Sequence, residues 1–189
     1  SSGVIDGVSE TVYTTLTDAV NAITEAGGIG VVMVSGRLEM QSTTISCSDL
    51  TIKGYDDTAV IGFGKDGTNT IKGSNTKITI SDIEVSRSDS ANDENWLALV
   101  NVDLTFADSC TYSSGTRTTN SSVIELYVGQ ERNTGDGGFS LTVDAPIKTS
   151  QFATVGGYTG GGLSYNGEYN IEINNGTHAN VLLGSRNGN

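Results

Sequence analysis

Residues 77–87, with the sequence K-I-T-I-S-D-I-E-V-S-R, contain two short runs in which apolar and polar side chains alternate. Ile78 and Ile80 share one face of the first run, and Ile83 and Val85 share one face of the second. This period-2 alternation of β-branched residues predicts β-strands. The alternation slips by one residue at Asp82, and such a slip turns every later side chain to the opposite face. The stretch therefore predicts two strands joined by a corner at Asp82.

The same alternation recurs before and after this stretch. Residues 50–54 (L-T-I-K-G) resemble residues 78–82 (I-T-I-S-D), and residues 102–106 (V-D-L-T-F) continue the pattern. Ile52 precedes Ile80 by 28 residues, and Ile80 precedes Leu104 by 24 residues. A self-similar period in the twenties is typical of a solenoid, in which each turn of chain packs only against its neighbours. We therefore predict that Ile52, Ile80 and Leu104 stack in one inward-facing column.

Five segments of the first half of the chain resemble a known family. They are T-L-T-D-A-V-N-A-I-T-E-A-G-G (15–28), V-V-M-V-S-G-R-L (31–38), T-T-I-S (43–46), L-T-I-K-G-Y (50–55) and A-V-I-G-F (59–63). Together they resemble the opening of the pectin-lyase-like, right-handed parallel β-helix family. The resemblance implies an amphipathic helix that caps the first coil, followed by a strand that ends in glycine. It says little about activity, because the family includes polysaccharide lyases, glycoside hydrolases, phage tailspikes and adhesins.

The predicted fold is therefore all-β: a right-handed parallel β-helix (solenoid) of about six to eight coils with a short N-terminal capping helix. Residues 1–189 are predicted to form one domain, with a lead-in and helical cap over 1–28 and coils over 29–189. The cap helix is predicted over 17–26, with Thr17 as the N-cap and Gly27-Gly28 ending it. Residues 31–34 are predicted to form a fully buried strand. We also expect the chain to be a piece of a longer surface protein.

Charge limits the classes of partner. The 189 residues carry a net charge of −12, although only 17% of them are charged. This balance disfavours nucleic acid and anionic membrane surfaces, which need basic patches. The chain also lacks an apolar run long enough to span a membrane, so no membrane insertion is predicted for this segment. We expect a secreted or cell-surface location and a monomeric chain.

Three carboxylates are candidate catalytic residues, should the chain be an enzyme. Asp82, Glu84 and Asp103 are predicted on or beside the outward faces of neighbouring coils. Carboxylates on adjacent rungs lie about 5 Å apart, which is the separation that retaining glycoside hydrolases use. The family that the chain resembles also includes lyases, in which outward aspartates hold calcium and an arginine or lysine takes the substrate proton; under that alternative Arg87 would fill this role. However, these residues are not concentrated in a catalytic motif, and no cluster of aromatic residues accompanies them.

Oxygen-rich side chains in the loop that follows make calcium a candidate ligand. Asp89, Asp93 and Glu94 share this loop, and hard cations prefer carboxylate oxygens. Their spacing does not match an EF-hand loop. The sequence predicts no other cofactor.

Polar loops on a repetitive rod, without a catalytic cluster, favour a binding or spacing role. We therefore predict a non-catalytic, adhesin-like module that binds a glycan or host ligand or acts as a stalk. The alternative is a fragment of a carbohydrate-active enzyme, either a polysaccharide lyase or a glycoside hydrolase. We also predict that Cys47 and Cys110 are free thiols, because more than two repeats separate them.

Overall fold

The described part of the chain is mostly β-structure, consistent with an all-β protein, and its larger sheets are parallel. The computed structural model describes residues 4–5, 8–9, 11–63, 68–87, 96–113, 124–129, 138–152 and 168–178, and within these ranges it has one helix, α1 (Leu16–Glu25). The strands are β1 (Val4–Ile5), β2 (Val8–Ser9), β3 (Ile29–Val34), β4 (Arg37–Glu39), β5 (Thr43–Thr44), β6 (Asp49–Gly54), β7 (Val60–Phe63), β8 (Thr68–Ser81), β9 (Glu84–Arg87), β10 (Trp96–Phe106), β11 (Thr111–Ser113), β12 (Ile124–Gly129), β13 (Phe139–Val143), β14 (Lys148–Phe152), β15 (Tyr169–Ile173) and β16 (Thr177–His178).

The strands from β3 onward pair in parallel and form three stacks. The first stack contains β3, β6, residues 76–81 of β8, residues 102–106 of β10, β13 and β15. The second stack contains β4, β7, β9 and β11. The third stack contains β5, residues 68–72 of β8, residues 96–100 of β10, β12, β14 and β16. Only β1 and β2 pair antiparallel in the described part of the chain.

The chain visits the three stacks in a fixed order. From β3 to β12 it passes from the first stack to the second, then to the third, and returns to the first. From β13 to β16 the described strands alternate between the first and third stacks. Parallel pairing of this kind requires a long connection between partner strands, and here the intervening strands supply it.

The corner predicted at Asp82 is confirmed. Asp82 adopts a φ of 48°, in the left-handed region, and separates β8 from β9. Asn75 and Asn101 also have left-handed φ angles, of 60° and 52°, at bends within β8 and β10. Asn and Asp tolerate this conformation better than other residues with side chains, because their short polar groups can hydrogen-bond locally. These three residues therefore turn the chain from one stack to the next.

Two buried columns run along the inner face of the first stack. One contains Ile52, Ile80, Phe106 and Val143, and the other contains Leu50, Ile78, Leu104 and Leu141. The predicted column of Ile52, Ile80 and Leu104 is therefore wrong at its last member, since Phe106 lies opposite Ile80 and Leu104 lies opposite Ile78. All of these side chains still face the core, because a shift of two residues keeps the face of a strand.

The cap helix begins earlier than predicted. Its N-cap is Thr15, not Thr17: the Thr15 hydroxyl accepts a hydrogen bond from the Asp18 backbone N–H at 3.1 Å. Ala19 and Val20 are buried, as expected for the apolar face of an amphipathic helix. Gly27 and Gly28 end the helix with φ angles of 117° and 79°. Within the described residues, no helix is both long and apolar enough to cross a membrane.

The prediction of a fully buried strand at residues 31–34 is wrong. Val34 is buried, but Val31 and Met33 are 56% and 40% exposed, and Ile29 is 74% exposed. β3 ends the first stack, and its alternate side chains point outward at the positions that polar residues occupy on the next strand, β6. Four consecutive apolar residues thus do not place both faces of this strand in the core.

Candidate functional site

The outer face of the first stack carries a ladder of threonines. Thr51, Thr79, Thr105 and Thr142 lie opposite one another on β6, β8, β10 and β13. All four are half-buried and face away from the core columns. Adjacent strands in a sheet are about 4.8 Å apart, so the hydroxyl groups form a regular row at that spacing. Each hydroxyl can both donate and accept a hydrogen bond.

A second polar column runs beside this threonine ladder. It contains Asp49, Lys77, Asp103, Ser140 and Asn170, which lie opposite one another on β6, β8, β10, β13 and β15. The Ser140 hydroxyl donates a hydrogen bond to Asp103 Oδ1 at 2.7 Å. That contact fixes one oxygen of an otherwise exposed carboxylate. The column therefore presents charge, hydroxyl and amide groups in a defined order.

A groove opens at the edge of this face, where the third stack bends into the first. Its volume is about 380 Å³. The polar lining comes from four successive strands and consists of Asn75, Asn101, Asp103, Ser140, Glu168 and Asn170, with Val102, Gly138 and Phe139 completing the wall. We call this feature the corner groove. Four strands at about 4.8 Å spacing extend it over roughly 14 Å along the stack.

Backbone geometry at the bend builds the corner groove. The Asn101 N–H donates to the Gly138 carbonyl oxygen at 2.8 Å, and the Phe139 N–H donates to the Glu168 carbonyl oxygen at 3.1 Å. These bonds stack the bends of successive strands in register. A Cβ atom on Gly138 would lie 2.4 Å from the Glu168 carbonyl oxygen, so only glycine permits this approach. The left-handed Asn75 and Asn101 complete the stacked bends.

The electrostatic character of the corner groove is acidic. Asp103 and Glu168 contribute two carboxylates, and among the described residues the lining includes no lysine or arginine. The exposed Lys77 lies opposite Asp103 on the neighbouring strand, outside the lining. The three asparagine amides add both donors and acceptors. Such a mixture can hydrogen-bond polyhydroxylated or positively charged ligands.

Asp82, one of the proposed catalytic carboxylates, sits in a structural ion pair. Lys53 Nζ lies 3.0 Å from Asp82 Oδ2, and both side chains are exposed. The hydrogen bonds from Lys53 and Ser109 hold the pKa of Asp82 below its ordinary value of 3.8. The Asp82 backbone N–H also donates to the Ser109 hydroxyl oxygen at 3.0 Å. These contacts tie the corner together and leave a permanently charged carboxylate at neutral pH.

The structure does not bring the three candidate carboxylates together. Glu84 is half-buried and accepts a hydrogen bond from the Ser113 hydroxyl at 2.5 Å, in the second stack. Asp103 lies opposite Lys77, and Lys77 precedes Asp82 by five residues, which corresponds to about 16 Å at the rise of an extended strand. Glycoside hydrolases hold their two carboxyl groups about 5 to 9.5 Å apart. Asp82 and Asp103 therefore lie too far apart to act as such a pair.

Other predicted site residues lie outside the described part of the chain. Asp89, Asp93 and Glu94, the calcium candidates, fall between residues 87 and 96. Arg87 ends β9, but its side chain is not among those described. In the described ranges, no group of three or more His, Cys, Asp or Glu residues is placed to hold a metal ion.

The sequence prediction included Asp103 but missed the rest of the corner groove. A signal was present in the segments S-N-T-K (74–77) and V-N-V-D (100–103), in which Asn precedes an outward polar residue by two positions. The segment E-Y-N (168–170) repeats the spacing with a carboxylate first. Recognising these positions as equivalent requires the strand register, which alternation alone does not provide.

Comparisons with protein-family models, with curated proteins and with solved structures found no match to this chain.

Proposed function

We propose that the three stacks are the faces of a right-handed parallel β-helix of the pectin-lyase-like type. The parallel pairing within each stack and the cyclic order in which the chain visits the stacks support this fold. Phe63 in the second stack and Phe106 in the first make an edge-to-face contact, with ring centroids 5.8 Å apart. One apolar interior shared by two stacks is what such a helix requires.

The chain then functions as a non-catalytic, adhesin-like module at the cell surface or in secreted form, with a glycan as its ligand. The observation that carries this proposal is the corner groove beside the threonine ladder. Sugar hydroxyls both donate and accept hydrogen bonds, and hydroxyl, amide and carboxylate groups complement them. The groove places these three kinds of group on four successive strands. A stalk alone would not need a concave site of this composition.

A carbohydrate-active enzyme is the second candidate, and the separation of Asp82 from Asp103 argues against it. A lyase or hydrolase must also hold its acid, base or calcium close to the scissile bond. Asp82 is paired with Lys53, and Glu84 is bonded to Ser113 in another stack. These contacts suit solvated outer-face carboxylates that support the fold.

Binding and cleavage should be measured on the same protein sample. We expect saturable binding to one or more glycans on an array of neutral, amino and acidic oligosaccharides. We expect no product from pectate, pectin or other polysaccharides when calcium is supplied. Cleavage at a clear rate would contradict the non-catalytic function, and loss of that cleavage in Asp82→Ala or Asp103→Ala would establish the enzymatic alternative. Absence of binding to every glycan would contradict the adhesin-like function.

A further inference from the structure

We propose that the corner groove selects glycans by charge: it accepts neutral sugars, prefers sugars with a free amino group, and rejects sugars that carry carboxylates. This inference rests on the proposed glycan-binding function and names its ligand class. It follows from the position and chemistry of the lining residues.

Asp103 is the first determinant of this selectivity. Its Oδ1 accepts the Ser140 hydroxyl at 2.7 Å, which holds the carboxylate in one orientation at the groove wall. Asp103 is exposed, so its oxygens remain accessible to a ligand. An ammonium group is a strong partner for an oriented carboxylate, because charge-assisted hydrogen bonds are about twice as strong as neutral ones.

Glu168 is the second determinant. It is exposed and lines the same groove two strands away from Asp103, since β13 lies between β10 and β15. At about 4.8 Å per strand, the two residues are roughly 10 Å apart along the stack. The groove therefore presents negative charge at two points along its length, and an anionic sugar chain lying in it would meet a like charge at both.

The amides of the lining provide the part of recognition that does not depend on charge. Asn75 and Asn101 stand at stacked bends, and Asn170 lies opposite Ser140 on the outer face. Each amide offers two donor hydrogens and an acceptor oxygen. Uncharged hydroxyl and acetamido groups can use these partners, so neutral sugars bind as well.

Three oligosaccharides of equal length test the selectivity: a glucosamine trimer, an N-acetylglucosamine trimer and a galacturonate trimer. Titration calorimetry at neutral pH and low salt should rank their affinities in that order, with no detectable binding of the galacturonate trimer. Asp103→Asn and Glu168→Gln each remove one charge and retain hydrogen-bonding groups. Each should weaken binding of the glucosamine trimer about tenfold while changing binding of the acetylated trimer little. Asp57→Asn, in an exposed turn after β6, removes the same charge outside the groove and should leave all three affinities unchanged.

The outcomes separate the two proposals. If sugars bind but the two groove variants behave like Asp57→Asn, the corner groove is not the site, while glycan binding stands. Preferential binding of the galacturonate trimer would also overturn the charge selectivity and leave the function intact. If none of the three trimers nor any glycan on the array binds, both proposals fail.

Discussion

The hydroxyl of Thr76 donates a hydrogen bond to the backbone carbonyl of Cys47 at 2.9 Å, and Thr76 is fully buried. The contact joins β8 to the chain that leads into β6, at the edge where the third stack bends into the first. The same hydroxyl oxygen accepts from the Ser74 backbone N–H at 3.3 Å. One buried side chain thus satisfies one main-chain group of β8 and one of the segment that leads into β6.

Replacing Thr76 with valine should destabilise the protein by about 1 to 3 kcal/mol, because the Cys47 carbonyl loses a buried donor while the side-chain shape is retained. Urea unfolding measures the change in free energy. The matched control is Thr79→Val on the same strand, where the threonine is half-buried on the outer face, and it should change stability by about 0.5 kcal/mol or less. Equal effects of the two substitutions would contradict a special role for Thr76.

The phenylalanine pair tests whether two stacks share one core. Phe63 and Phe106 are fully buried and cross edge to face at an interplanar angle of 74°. In a double-mutant cycle with leucine at both positions, the coupling energy should be about 0.5 to 1.5 kcal/mol. The cycle of Phe106→Leu with Val20→Ala serves as control, because Val20 lies in α1, which contacts β3, three strands away from β10, and those effects should add. Additive effects for the phenylalanine pair would argue against a shared interior.

The corner at Asp82 gives a pH-dependent prediction. The folded-state pKa of Asp82 is lowered, mainly by the hydrogen bond from Lys53. Its contribution to stability is therefore present above the ordinary pKa of 3.8 and is lost as pH falls through the lowered value. Asp82→Asn should cost no more than about 1 kcal/mol at neutral pH, because the pair is exposed, and the cost should vanish in acid.

Urea unfolding of Asp82→Asn and of the unsubstituted protein between pH 2 and pH 7 checks this prediction. High salt should reduce the effect of Asp82→Asn, since exposed ion pairs are screened. A constant difference between Asp82→Asn and the unsubstituted protein across this pH range would rule out the ion pair as its cause.

Several features of the fold could be predicted from local patterns. The corner at Asp82 follows from the one-residue slip in alternation, and the glycine pair that ends α1 is visible in the sequence. The strand register is harder to predict from sequence, because alternation has a period of two and a shift by two residues leaves the alternation unchanged. The pattern therefore predicts Leu104 opposite Ile80, where the structure has Phe106. Corner length decides the register: three residues, 73–75, form the bend in β8, but only Asn101 forms the bend in β10.

Burial and the corner groove depend on tertiary context, which the sequence pattern does not encode. Ile29 and Val31 are exposed because β3 ends the stack, although their apolar run resembles a buried strand. Asp103 and Glu168 are 65 residues apart in the chain and meet one groove only because β10, β13 and β15 align in parallel. Strand proximity favours a catalytic pairing of Asp82 with Asp103, but Asp82 follows the C-terminal end of β8, whereas Asp103 lies opposite Lys77, five residues earlier.

The two cysteines provide a further prediction. Cys47 and Cys110 are both buried and free in the structure. Cys47 precedes β6, where the third stack meets the first, whereas Cys110 precedes β11, where the first stack meets the second. These corners lie at opposite ends of the first-stack strands, about 16 Å apart, and a disulfide needs Cα atoms within about 7 Å. We therefore expect two reactive thiols in denaturant without reductant and slow reaction of both in the native protein.

The burial of Cys110 predicts that the free energy of unfolding falls at alkaline pH. Its Sγ donates to the Ile80 carbonyl oxygen at 3.2 Å, and burial raises its pKa from 9.0 to about 11. The folded state therefore holds the thiol proton over a pH range in which the unfolded chain releases it. Stability should fall as pH rises from 9 toward 11, and Cys110→Ala should flatten this fall.

For the prediction of two reactive thiols, finding none in denaturant would mean that the cysteines form a disulfide and that the strand register between residues 47 and 110 is wrong.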